Sequence, residues 1–142
     1  MSTNRKLVAG ESAYESVVGY SRAVRVGPQV SVAGTTGVGP PGDIAAQTRD
    51  ALRRIEIALH EAGAALTDVV RTRIYVTDIS RWREVGAVHE GVFGAIRPAA
   101  TMVEVSALIA PELLVEIEVD AYVDSPASSP ASGGKVPSSA GG

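Results

Sequence analysis

Residues 113–123, "LLVEIEVDAYV", decide how this chain folds. Val115, Ile117, Val119, Ala121 and Val123 alternate with Glu116, Glu118, Asp120 and Tyr122. Successive side chains on a strand point to opposite faces, so a period of two predicts one apolar face and one acidic face. Upstream, "VVRTRIYVT" (69–77) repeats the pattern, with Val70, Thr72, Ile74 and Val76 set against Arg71, Arg73, Tyr75 and Thr77. A sheet holding both strands would be covered on its apolar side and would present acids and arginines on the other, where they can pair between strands. That charged side is either a solvated, salt-bridged surface or a subunit interface or wet cleft.

What covers the apolar side is legible between the strands. After "GPPG", Asp43 is placed to cap a helix in which Ile44, Thr48, Ala51, Leu52, Ile55, Leu59 and Ala62 fall at helical spacing, and Gly63 supplies the stop. A second helix is predicted from about Ser80 to Ile96, with Trp82, Val85, Val88, Val92, Phe93 and Ile96 on one stripe. Its Gly86, Gly91 and Gly94 make it a helix held by packing more than by propensity. "SRAVRVG" and "QVSVAGT" read as a hairpin through Gly27 and Pro28, and "TMVEV" as a strand after the second helix. The order is ββαβαββ, an α+β arrangement with two helices on one face of a mixed sheet. The domain is expected over about Gly10 to Asp124. The Ser-, Pro-, Gly- and Ala-rich stretch 125–142 is expected to be a disordered tail, because it has too little apolar surface to offset ordering.

Composition removes several kinds of chemistry. The 142-residue chain has 13 Lys and Arg against 16 Asp and Glu, a formal charge of −3, which gathers no phosphates and speaks against nucleic-acid binding. With no cysteine and only His60 and His89, thiol nucleophiles, disulfides and Cys/His zinc sites are excluded; composition leaves a carboxylate metal site open, though no metal or other cofactor is expected. No signal-like or membrane-length apolar run is present, so a cytoplasmic protein with no membrane partner is the expectation. "GTTGVGPPGD" leads glycines into a helix but lacks the lysine of a phosphate loop and loses donors to two prolines, so it reads as a connection.

The succession "GYSRAVRVG", "VSVAGTTG", "DIAAQTRDALRRIEIALHEAGAALTDVVRTRIYVTDI" and "RPAATMVEVSALIAPELLVEIEVDAYV" resembles the Rid family of reactive intermediate deaminases, the YjgF-like proteins, over about Tyr20 to Val123. Its landmarks are Tyr20 and Ser21, the Gln47-Thr48-Arg49 run, Gly63 before the "DVVRTRIYVTD" strand, and the "VEIE" of Val115 to Glu118. The resemblance implies a chorismate-mutase-like fold assembled as a homotrimer, with the three sheets forming a central barrel and a small-molecule cleft at each subunit boundary. It further implies hydrolysis of an imine or enamine to a ketone and ammonia.

In that family an arginine of a Pro-Ala-Arg-Ser/Thr motif holds the substrate carboxylate, a task suited to a planar, always charged fork. Here the motif is Pro98, Ala99, Ala100, Thr101, so Ala100 occupies the arginine position. Glu116 matches the glutamate that handles water, Tyr20 the early tyrosine, and Ala33 and Gly34 the second-strand lining. Arg97 precedes a proline three residues before the motif arginine position and is expected to close the second helix. Arg73 is preferred over Arg22 and Arg25 as the substitute cation, with pairing to Glu104 or Glu118 as its other use. A charge-assisted contact contributes roughly 1.5–3 kcal/mol, so its loss at Ala100 argues against standard 2-imino-acid deamination. Two functions stand: a Rid-like hydrolase using Glu116, with Tyr20 and Thr101 shaping its cleft, or a trimer that binds a metabolite or partner without turnover.

Overall fold

A computed structural model describes residues 5–124, so the tail expected over 125–142 lies outside the described residues. Six strands form one sheet: β1 (Arg5–Val8), β2 (Ala23–Val26), β3 (Gln29–Thr35), β4 (Val69–Val76), β5 (Ala99–Glu104) and β6 (Val115–Tyr122), in the order β1-β2-β3-β6-β4-β5. Helix α1 spans Ile44–Glu61 and α2 spans Trp82–Phe93. All neighbours are antiparallel except β4 and β5, and that parallel pair requires the crossover that α2 provides. The expected α+β class, with both helices on one face of a mixed sheet, is the observed one.

The core lies between the helices and the alternate side chains of β6. Val115, Ile117, Val119 and Ala121 are buried, and Ile44, Ala51, Leu52, Ile55, Ala58 and Leu59 of α1 pack onto them with Val85 and Phe93 of α2. Asp43 Oδ1 accepts from the Ala46 amide at 2.9 Å, and Gly63 takes a left-handed φ of 81° past the end of α1, so both predicted signals act as read. The buried Gln47 amide group accepts from Leu114 N at 2.9 Å and donates to Glu112 O at 3.0 Å, tying α1 to the start of β6.

Three expectations need correction. A strand, β1, precedes the expected domain start at Gly10 and makes the order βββαβαββ. Its signal is weak because an edge strand buries little: only Val8 is buried, while Lys6 Nζ reaches Glu61 O at the end of α1 at 2.6 Å. On β4, Val69 and not Val70 enters the core, and Val70 is 51% exposed, because the pairing with β6 slips between Val69 and Arg71. Trp82, placed on the buried stripe of α2, is 46% exposed at the first turn, with the Arg83 guanidinium 4.5 Å from its ring centre.

Candidate functional site

The site grows from a defect in the sheet. Pairing of β3 with β6 shifts register between Val32 and Thr35, so Ala33 and Gly34 bulge out of the ladder. Their carbonyls then need other donors, and Arg22, immediately before β2, supplies them. Its Nη1 donates to Gly34 O at 2.9 Å, to Thr35 Oγ1 at 2.8 Å and, more weakly, to Ala33 O at 3.4 Å. Its Nη2 donates to the Tyr20 hydroxyl at 3.2 Å, and the guanidinium carbon lies 5.5 Å from the Tyr20 ring centre. Residues 15–19 form one wide helical turn ahead of this cluster, and Glu15 folds back so that its Oε1 accepts from Gly10 N at 2.9 Å.

Glu116 of β6 lies on the other side of the bulge. Its carboxyl rests against the Cα of Gly34, in the volume a side chain at that position would take. The carboxyl is half-buried, and burial pushes its pKa above the ordinary glutamate value; the neighbouring Glu118 adds to the rise and Arg22 opposes it. Tyr20, Ala33, Gly34 and Glu116, four of the residues singled out by sequence, therefore form one cluster. The residue that joins them is Arg22, which the sequence offered only as a less favoured substitute cation behind Arg73.

Arg73 is engaged elsewhere. Its Nη1 donates to Asp120 Oδ2 at 3.0 Å and lies 3.6 Å from Glu118 Oε1, which in turn accepts from the Tyr75 hydroxyl at 2.9 Å. That hydrogen bond to Glu118 raises the Tyr75 pKa. Of the two expected partners, Glu118 is found; Glu104 instead accepts from Ile79 N at 3.0 Å. These groups border an open cleft of about 560 Å³ on the polar sheet face, which Tyr20, Ser21, Ala33, Arg73, Glu118 and Asp120 help to line.

The motif residues on β5 stand apart from Glu116, because β4 lies between β5 and β6. Thr101 is in register with Arg73 and so shares the polar face. Ala100 is in register with Thr72 on the helix side, where the buried Thr72 Oγ1 lies 2.9 Å from His89 Nε2. Burial lowers the His89 pKa, and its ring packs 4.8 Å from that of Phe93. Arg97 is exposed with φ 61°, and its amide donates to Phe93 O at 2.8 Å, so it closes α2 as expected. In the glycine loop, Asp50 Oδ2 accepts from Val38 N at 2.9 Å, which leaves that donor no phosphate to bind.

The arrangement defines a class: a small α+β domain with helices on one sheet face and, on the other, a recessed carboxyl and an open cleft. The sequence model of the Endoribonuclease L-PSP family matches residues 10–123, and the chain belongs to that family. A RutC family protein of Pyrococcus abyssi is 35% identical over 124 residues, 83% of this chain and 97% of the relative. The 2-iminobutanoate/2-iminopropanoate deaminase of Escherichia coli is 32% identical over 121 residues, 80% of this chain and 94% of that enzyme. Among solved structures, a YjgF-family protein of Mycobacterium tuberculosis is 74% identical with a TM-score of 0.82, over 84% of this chain and 100% of the other. The Escherichia coli YjgF protein is 30% identical with a TM-score of 0.72, over 82% and 98%. Rid/YjgF-like membership, expected from the sequence, is thereby established. Among the described residues no group of acids and histidines is placed to hold a metal, and no helix is long and apolar enough to cross a membrane.

Proposed function

We propose that this protein is a Rid-type hydrolase of small imines or enamines, acting at clefts between the subunits of a homotrimer. The observation that carries the reading is the Glu116 carboxyl, held on Gly34, whose carbonyl shares Arg22 with the Tyr20 hydroxyl, and with its pKa raised by burial. A base whose pKa is lifted toward the working pH transfers protons more effectively than an ordinary surface glutamate. Glu116 takes a proton from water as the oxygen adds to the C=N carbon. That proton passes to nitrogen to give the carbinolamine; Glu116 then takes the hydroxyl proton and delivers it to nitrogen as the C–N bond breaks, which leaves a ketone and ammonia, with water as the only co-reactant.

The trimer accounts for the separation of the motif. Thr101 on β5 and Glu116 on β6 lie on different strands with β4 between them, and β5 is an exposed edge, so a cleft completed by a neighbouring subunit brings the two halves to one ligand. Ala100 offers no charge and Arg73 is occupied by two acids, so the substrate we favour is an imine or enamine without an α-carboxylate. Ala100 is also the observation that favours the second reading, a trimer that binds a metabolite without turnover. An RNA-cleaving role has the net charge of −3 against it.

The test generates imines in place, follows their hydrolysis against semicarbazide trapping, and compares 2-iminopropanoate with imines lacking a carboxylate. Wild type accelerating the neutral imines, with Glu116→Gln inactive yet still assembled and ligand-binding, supports the hydrolase. Equal rates for wild type and Glu116→Gln on every imine support the binding trimer.

A further inference from the structure

One pair of charges in the molecule has no part in the hydrolysis step. Glu15 and Arg22 keep only 12% and 14% of their side chains accessible, with Glu15 Oε2 3.8 Å from Arg22 Nε. Glu15 Oε2 is buried and accepts no hydrogen bond from the described residues. A buried carboxylate oxygen left without a donor is costly and rare in native structures, and persists where something other than stability retains it. Gly10 is part of the arrangement, since a side chain there would run into Glu15 Oε2 and the Arg22 stem.

We propose that Arg22 is a positioning residue of the Glu116 site and that Glu15 is the counter-charge that sets its strength. The geometry carries this. One guanidinium binds the Tyr20 hydroxyl, the Gly34 carbonyl and Thr35 Oγ1, and Gly34 is the surface on which the Glu116 carboxyl rests. Arg22 thereby fixes the tyrosine, the bulge and the carboxyl relative to one another. Its donors are largely spent on these contacts, so it acts through them and not as a substrate anchor.

The two charges act on Glu116 with opposite sign. Arg22 favours the ionised carboxyl and opposes the rise caused by burial and by Glu118. Glu15 offsets part of that positive charge, and so keeps Glu116 a stronger base than Arg22 alone would allow. The other groups facing Glu116 are Glu118 on its own strand and Tyr75, its register partner on β4, whose neighbour Arg73 is held by Glu118 and Asp120. Neither of the two variants below removes any of them.

This inference rests on Glu116 handling water, so its test reads the carboxyl directly as well as through turnover. In the assembled protein labelled with carbon-13 in the glutamate carboxyls, the Glu116 resonance is assigned by its loss in Glu116→Gln and followed against pH. Arg22→Gln is expected to raise the Glu116 midpoint and Glu15→Gln to lower it, each by about half a unit or more. The acid limb of the hydrolysis profile is expected to move with them. Midpoints that stay put, or that move in the same direction in both variants, overturn the proposal. Midpoints that move as expected while wild type hydrolyses no imine uphold the charge couple and remove the hydrolase reading instead. Should Arg22→Gln fail to fold, Glu15→Gln carries the test alone: a lowered midpoint upholds the proposal and an unmoved or raised one overturns it.

Discussion

Gly34 and Glu116 share one volume: the carboxyl of the acid occupies the place where a side chain on residue 34 would sit. Gly34→Ala therefore has to expel the Glu116 carboxyl toward solvent, because the bulged backbone on one side and β6 on the other cannot both yield. We expect at least a tenfold loss of imine hydrolysis in Gly34→Ala with the sheet intact by circular dichroism. Wild-type turnover in that variant would remove Glu116 from the reaction.

The raised pKa of Glu116 makes a second prediction, in stability. A glutamate in the unfolded chain titrates near ~4.3, and in the fold Glu116 titrates higher. Between the two values the folded state binds the more protons, so the contribution of Glu116 to stability falls as pH rises through that window. Glu116→Gln is thus expected to raise Tm at neutral pH, with the gain shrinking to nothing by about pH 4. Melting curves of both proteins across that range decide it; a gain that grows on acidification would mean the pKa is lowered.

On the proposed function, Ala100→Arg places a guanidinium on β5 at the position to which the sequence resemblance assigns the substrate-holding arginine. For 2-iminopropanoate, a recovered charge-assisted contact predicts a gain in kcat/KM of about ten- to a hundredfold. Imines without a carboxylate are expected to gain nothing. Initial rates on both substrate types check this, and an equal gain on both would show that Arg acts on the fold and not on the ligand.

Gln47 makes the fourth prediction. Its side chain holds Leu114 N and Glu112 O, and the residue is buried, so Gln47→Leu strands two backbone groups just before β6. The cost is about 1–3 kcal/mol, or a fall in Tm of several degrees by thermal melting. An unchanged Tm would show that water replaces the amide without loss.

The features read correctly from sequence are those set by a local period or a single cap. The alternation of Val115 to Val123, the Asp43 cap and the Gly63 stop survive in the fold because tertiary contacts reinforce each of them. The errors have physical causes. A bulge inserts a residue out of phase, so strict alternation along 69–77 put Val70 where Val69 belongs. Strand β1 carries two charged residues in four and is held mainly by backbone pairing, which leaves no hydrophobic signature. Arg22 was ranked below Arg73, and its actual role stayed hidden, because its partners are two bulge carbonyls and a threonine hydroxyl eleven to thirteen residues away, freed by a register shift that no residue type announces.

The two ends of the sheet are defended very differently. β1 meets water with Arg5 and Lys6, whereas β5 at the opposite end presents Ala99, Ala100, Thr101 and Val103, with Glu104 as its one charge. An unpaired rim of that kind recruits any strand that drifts past. In the proposed trimer a neighbouring subunit covers it, and on that reading shelf life depends on dilution: thin solutions shed subunits and precipitate, while concentrated ones keep.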